Sequence, residues 1–143
     1  LRRIKVSGNV LLTGAEKTEL GILVFDVTTA PSGYVAENAD VVAKFLAVTA
    51  DANAAWNATQ PDFMLNMIAQ DAGMSAADAA SSLSTFVFPD VDAQLSGGWL
   101  GGAAQTFMKG VADVFVAAGS IDSANSSYAD NVNVGPLTSA KGM

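Results

Sequence analysis

The chain has 143 residues, of which 50% are hydrophobic and only 15% are charged. This length and composition predict one globular domain, or part of one, and exclude a disordered chain. The formal net charge is −7, and three of the seven positive charges belong to Arg2, Arg3 and Lys5. Because the rest of the chain is acidic, binding to nucleic acid and docking on anionic lipid are both disfavoured.

Cysteine and histidine do not occur in the sequence. A thiol nucleophile, a zinc site built from Cys or His ligands, and a histidine general base are therefore excluded within this chain. Carboxylate and lysine chemistry remain open. We predict that the chain is not an enzyme, with no catalytic residue, no metal ligand and no cofactor. No apolar run reaches the roughly 18 residues that a membrane span requires.

Two short segments precede the first clear helix pattern. Asn9–Thr13 follows a glycine and is brief and apolar, which predicts a strand. Thr13 and Glu16 then match the Ser/Thr-x-x-Glu capping pattern, so one helical turn is predicted within the polar connection that runs to Gly21. This connection, Gly14 to Gly21, is also the candidate hinge for a closing motion around a bound ligand.

The most strand-like stretch is Gly21–Ala30, which reads Gly-Ile-Leu-Val-Phe-Asp-Val-Thr-Thr-Ala. Its bulky β-branched and aromatic residues are apolar on both alternating faces, which predicts a strand covered on both sides. Asp26 interrupts it with a carboxylate near the strand end. A buried carboxylate is costly unless a cationic or hydrogen-bonding group meets it. Asp26 is therefore interpreted either as a ligand contact or as the partner of a structural cation.

The rest of the sequence predicts helices. A stripe of apolar residues from about Ala39 to Trp56 recurs every three or four residues, which indicates one buried helix face. Further helices are predicted from Thr59 to Gly73, from Ser75 to about Thr85, from Leu100 to Ala118 as the longest, and briefly after Ser120. Segment 86–89 is predicted to be non-helical because of Pro89. The tail from Asn133 is predicted to be loose.

Four glycines surround Trp99 in the stretch 97–102. The pattern matches neither Gly-x-Gly-x-x-Gly nor the P-loop, so a phosphate cradle is disfavoured. We interpret the glycines as allowing a close approach of the backbone beside a packed indole.

The predicted fold class is α/β, a mostly helical fragment with one or two strands. Two strands with apolar faces need sheet partners, and the rest of this sequence does not provide them. We therefore expect the partners to lie in a missing segment or in another copy. Leu1 is not a start methionine, and we expect an earlier segment, including a signal peptide, to have been removed.

Running similarity from about Asn9 to Leu137 carries a family resemblance. The chain resembles the C-terminal half of periplasmic solute-binding proteins of taurine and aliphatic-sulfonate ABC importers. The segments that carry the resemblance are Asn9–Gly14, Phe25–Thr29, Val35–Leu46, Phe86–Asp90, Gln94–Gly102 and Phe107–Tyr128.

This resemblance implies a partial periplasmic-binding-protein type II fold. Residues 1–20 would be the end of the second lobe and the crossing between lobes, and residues 21–143 the C-terminal part of the first lobe. It implies capture of taurine or a similar sulfonate in the periplasm and delivery to an ABC permease. It also implies that Asp26 meets the ligand's amine, with Phe25 and Val27 as neighbours in the ligand site. The sulfonate contacts would lie outside this chain.

Two other functions remain open. One is an enzyme on the same fold, such as the related pyrimidine-precursor synthases, which rely on histidines that this chain lacks. The other is a helical interaction domain, in which the fragment associates with itself through apolar helix stripes.

Overall fold

The computed structural model describes residues 8–22 and 24–143, so Arg2, Arg3, Lys5 and Leu23 lie outside the described residues. The chain divides into two compact units, Leu1–Ala30 and Pro31–Met143. This division falls between Ala30 and Pro31, whereas the predicted lobe boundary falls between residues 20 and 21. The lobe assignment concerns a larger protein and stays a prediction.

The first unit contains one helix among its described residues, α1 (Gly14–Glu19). Its start is a reciprocal capping box. The Thr13 N–H donates to Glu16 Oε2 at 2.7 Å, and the Glu16 N–H donates to Thr13 Oγ1 at 3.3 Å. The Thr13 hydroxyl also donates to Glu16 Oε2, and these two bonds to the ionised form hold the pKa of Glu16 below its ordinary value. The predicted capping pattern is confirmed, and the candidate hinge contains this helix.

The predicted strands are wrong for the described residues. Segment 9–13 forms bends and irregular backbone, and residues 24–30 have no regular secondary structure. β propensity describes side chains that fit a pleated surface, but a strand exists only when a second strand accepts and donates its backbone hydrogen bonds. The described part of the chain supplies no such partner. The predicted α/β class, with its partial periplasmic-binding-protein type II fold, is therefore corrected to a helical fold for residues 8–22 and 24–143.

The second unit is built from helices and one short 3₁₀ turn. Their bounds in chain order are α2 (Ser32–Glu37), α3 (Ala39–Thr59), α4 (Asp62–Asp71), α5 (Ala76–Leu83), α6 (Val91–Leu95), α7 (Ala103–Ala117), a 3₁₀ turn (Ala129–Asn131) and α8 (Gly135–Ala140). The predicted helices at α3, α4, α5 and α7 are confirmed, although α3, with 21 residues, is longer than α7, with 15.

The helix ends follow from local chemistry. The Ser75 side chain accepts the Asp78 N–H at 3.1 Å and caps α5, and Asp90 accepts the Ala93 N–H at 2.7 Å and caps α6. Gly73 and Gly119 have φ of +63° and +68°, in the left-handed region that glycine enters without strain. The chain therefore turns just after α4 and α7, where the sequence predicts it.

The core of the second unit is small. Helix α8 packs against α3, and α4 packs against α5. Most of the fully buried side chains are alanines, which lets these helices approach closely; the set is Ala43, Trp56, Ala69, Ala79, Ala104, Ala112, Leu137 and Ala140. Within the tail, Gly135–Ala140 form an ordered helix, because Leu137 and Ala140 lie one turn apart and bury one apolar face. This helix stops before the end of the tail, the part that was predicted to be loose.

The glycine-rich stretch before α7 confirms the predicted close approach of the backbone. A Cβ atom added to Gly101 would lie 2.7 Å from the carbonyl oxygen of Ser96 and 2.8 Å from that of Leu95. By contrast, a Cβ atom at Gly110, in the interior of α7, meets nothing within 4 Å. The backbone at Gly101 therefore leaves no room for a side chain, whereas the position of Gly110 has room for one.

Replacing these two glycines by alanine should give effects of opposite sign. Gly101→Ala must displace backbone, so we expect it to lower the free energy of unfolding by about 1–3 kcal/mol. Gly110→Ala fills open space in a helix interior and should raise that free energy by about 0.5–1 kcal/mol. Urea denaturation followed by circular dichroism measures both. Equal effects of the two variants would contradict the close approach at Gly101.

Candidate functional site

The residue that the sequence singles out, Asp26, lies in the first unit, in the irregular segment before Pro31. Its side chain is exposed, and among the described residues it has no hydrogen-bond or ion-pair partner. The alternative interpretation, a structural cation beside Asp26, thus has no lysine partner among the described residues. An exposed carboxylate in an apolar segment is accessible to a cationic ligand group.

The two neighbours of Asp26 differ in exposure. Phe25 is half-buried, whereas Val27 is 56% exposed. The three residues are brought together only by their adjacency in the chain, since no strand or helix holds segment 24–30. Their role in ligand binding stays a prediction.

A second candidate site lies entirely within the second unit. It is a cleft of about 620 Å³ between the end of α3, the start of α4, the end of α5 and the segment that follows α5. We name it the aromatic cleft, and its lining consists of Trp56, Asn57, Gln60, Asp62, Leu65, Ala80, Leu83, Ser84, Phe86, Val87 and Phe88. This volume lies within the range of small-molecule sites.

Aromatic contacts shape one wall of the aromatic cleft. The rings of Trp56 and Phe88 meet edge to face, with centroids 6.4 Å apart and planes at 69°. Phe86 lies nearly parallel to Phe88, with centroids 6.2 Å apart. Such pairs are favourable beyond the area they bury, by about 0.5–1.5 kcal/mol. Phe86 and Phe88 fall in the non-helical segment that Pro89 predicts, and the structure packs this segment against the end of α3.

Polar contacts fix the segment that carries these rings. The Asn57 side-chain amide donates to the carbonyl oxygen of Phe88 at 2.7 Å and joins the end of α3 to it. The Gln94 side chain donates to the carbonyl oxygen of Pro89 at 2.8 Å. At the other side of the cleft, Gln60 ends α3 with φ of +44°, an uncommon conformation for a residue other than glycine. The chain thereby reverses into Pro61 and α4.

The charge of the aromatic cleft limits what it can bind. Asp62 is the one ionisable residue among the described lining residues, and neither lysine nor arginine lines it. A sulfonate needs N–H groups, hydroxyls or cationic side chains, and a bare carboxylate repels it. With one carboxylate and no cation among its described lining residues, the cleft favours neutral or cationic groups over an anion such as a sulfonate.

Metal binding and membrane insertion have no support in the part of the chain that the structure describes. Within residues 8–22 and 24–143, no three carboxylate side chains gather into a group that could hold a metal ion. None of the described helices combines the length and the apolar character that a bilayer span demands.

Comparisons with known proteins give no match: no family model, no curated protein and no solved structure matches this chain. The resemblance to taurine-type solute-binding proteins thus rests on the residues themselves and stays a prediction.

Sequence reasoning missed the aromatic cleft. Trp56 was predicted at the end of a buried stripe, which its burial confirms, and segment 86–89 was predicted to be non-helical. The signal that was available is the pair of phenylalanines at alternate positions before Pro89, which places both rings on one side of an extended segment. Nothing in the sequence showed that Asn57 would hold that segment against α3.

Proposed function

We propose that this chain is part of a periplasmic solute-binding protein that captures taurine, or a similar aminosulfonate, and delivers it to an ABC permease. The proposal is for a binding protein without catalysis. The observation that carries it is the exposed Asp26 carboxylate, which has no partner among the described residues. The running similarity described above supports it as a second line of argument.

Only one end of taurine, its ammonium, is complementary to the Asp26 carboxylate. Taurine carries an ammonium and a sulfonate. A charge-assisted hydrogen bond between the ammonium and the Asp26 carboxylate is about twice as strong as a neutral one. The sulfonate must be met elsewhere, since Asp62 is the one charged residue among the described residues that line the aromatic cleft.

Calorimetric titration with taurine tests the proposal. The protein that carries this chain should bind taurine, and Asp26→Asn should weaken binding by about 1–3 kcal/mol, because the ammonium loses its charged partner while the size of the side chain is kept. Asp122→Asn is the matched control, since Asp122 is also exposed in a segment without helix, and it should leave the affinity unchanged.

The outcomes separate the function from the residue assignment. Wild-type protein that binds no taurine or other aminosulfonate overturns the proposed function. Wild-type protein that binds taurine equally well after Asp26→Asn keeps the function and removes Asp26 from the site.

A second candidate function, a helical interaction module, is favoured by a different observation. Large apolar side chains are exposed on two helices of the second unit, Phe45 and Val48 on α3 and Val114 and Phe115 on α7. Exposed apolar surface of this extent is typical of sites of association with other proteins. The two functions are compatible, since the first concerns Asp26 in the other unit.

A further inference from the structure

Helix α3 is apolar on two faces, and only one of them is covered. Helix α3 packs against α8, and Ala43 is buried. Trp56 is also buried, but it lies about 140° around the helix from Ala43, where its ring contacts Phe88. A second apolar row, which we name the outer seam, is exposed: Val41, Phe45 and Val48 have exposed fractions of 49%, 58% and 69%, and exposed alanines continue the row at positions 52 and 55.

The spacing of the outer seam is that of a coiled-coil interface. Its residues follow one another at steps of four, three, four and three, which places them along one side of the helix and matches the a and d positions of a heptad. At these a and d positions, Val41, Phe45 and Val48 supply bulky side chains that can insert between the side chains of a partner helix. The face predicted to be buried included Val41, Phe45 and Trp56; the structure buries Trp56 and leaves Val41 and Phe45 exposed.

The charges beside the outer seam select one orientation for a partner helix. Lys44 and Asp51 are seven residues apart and flank the same edge, whereas Val42 and Thr49 flank the other edge. When two such helices run antiparallel, each edge faces the same edge of the second helix, so Lys44 faces the partner subunit's Asp51 and Asp51 faces the partner subunit's Lys44. In a parallel pair, opposite edges face each other, and Lys44 would meet Thr49.

Both charged groups are available for these contacts. Asp51 is exposed, and among the described residues it has no ion-pair partner. Lys44 is paired with Asp40 at 3.5 Å, but the two side chains are 70% and 73% exposed, and such a surface pair contributes little stability. Lys44 can therefore move from Asp40 to a partner helix at little cost.

We propose that two copies of this chain associate through the outer seam of α3, with the two helices antiparallel about a twofold axis. Phe45 packs against the partner subunit's Val48, and Val48 packs against the partner subunit's Phe45. Along the charged edge of the seam, Lys44 pairs with the partner subunit's Asp51, and Asp51 pairs with the partner subunit's Lys44. The symmetry makes each contact occur twice, as in most homodimers. The inference is independent of ligand capture, because the outer seam lies in the second unit and Asp26 in the first.

Sedimentation velocity over a concentration series tests the association. Wild-type protein should pass from monomer to dimer as its concentration rises. Phe45→Asp should abolish the dimer, because it places a carboxylate at the centre of the seam. Phe63→Asp is the matched control: Phe63 is 65% exposed on α4, outside the seam, and this variant should dimerise as wild type does. Circular dichroism establishes that both variants are folded.

Charge exchange tests the orientation. Lys44→Asp and Asp51→Lys should each weaken the dimer by about tenfold, since each turns two attractions into two repulsions. The double variant, with Lys44→Asp and Asp51→Lys together, restores opposite charges and should return the affinity to near that of wild type. Positions 44 and 51 are two turns apart in α3, so rescue within one chain does not explain that recovery.

Three results would overturn the proposal. Wild-type protein that stays monomeric shows that another partner, or none, covers the outer seam. A dimer that survives Phe45→Asp uses another surface. A dimer that is sensitive to Phe45→Asp but indifferent to the charge exchanges, or not rescued by the double exchange, is not antiparallel.

Discussion

Trp56→Ala is expected to lower the free energy of unfolding of the second unit by about 3 kcal/mol. Trp56 has 9% of its surface exposed and is the largest side chain in a core otherwise made mostly of alanines. Its removal leaves a cavity, deletes the edge-to-face contact with Phe88, and frees the segment that Asn57 holds. Urea denaturation monitored by circular dichroism measures the loss.

Phe63→Ala is the control for this effect. Phe63 is an aromatic residue of the same unit, but 65% of it is exposed, so its loss should change the free energy of unfolding by no more than about 0.5 kcal/mol. Equal destabilisation by the two variants would show that Trp56 is not the centre of the core.

Leu137→Ala should lower the free energy of unfolding of the second unit by about 2–3 kcal/mol, which is at the lower end of the range for buried leucines. Leu137 is 5% exposed and lies on α8, which packs against α3. A helix of six residues has little stability of its own, so α8 is held mainly by this burial. The ion pair of Lys141 with Asp92 on α6 is largely exposed and adds little. The substitution should therefore release α8 as well as destabilise the unit.

Hydrogen exchange distinguishes these two consequences. In Leu137→Ala, the amides of α8 should exchange faster than those of α5, which does not depend on it. Val114→Ala provides the comparison, because Val114 is 67% exposed on α7 and its truncation should leave α8 protected. Protection of α8 that is unchanged in Leu137→Ala would mean that this side chain does not anchor the helix.

The helices of this protein were predictable because their signals are local. Ser75, Gly73 and Pro61 mark helix ends through bonds or conformations that involve residues within a single turn. The same is true of the Thr13–Glu16 capping box. Each of these features acts whatever the rest of the chain does, so sequence reasoning placed them correctly.

The strand predicted over Gly21–Ala30 failed because its signal is not local. Its side chains suit a sheet, but a sheet needs a second strand, and the described residues offer none. The buried face predicted for α3 is right for Trp56 and wrong for Val41 and Phe45, for a related reason. Periodicity identified an apolar helix, yet which apolar row is covered depends on where α8 docks, and Phe45 lies on the row that stays exposed.

The candidate sites show the same division. Asp26 was singled out as a carboxylate expected to be buried in a covered strand; the structure leaves it exposed, and its role in ligand binding stays a prediction. For the aromatic cleft, the sequence offered the alternate phenylalanines 86 and 88 but not their docking on α3, which depends on a hydrogen bond between residues 31 positions apart, Asn57 and Phe88. A contact at that separation has no sequence pattern.

Nuclear magnetic resonance of the side-chain carboxyl carbons during a taurine titration tests the central claim most directly. The proposed function predicts that the Asp26 carboxyl signal shifts in a saturable way and moves further than any other carboxyl signal, because the ligand ammonium binds there. A taurine titration that saturates while the Asp26 signal stays in place, or that produces no saturable change in any signal, would contradict the account.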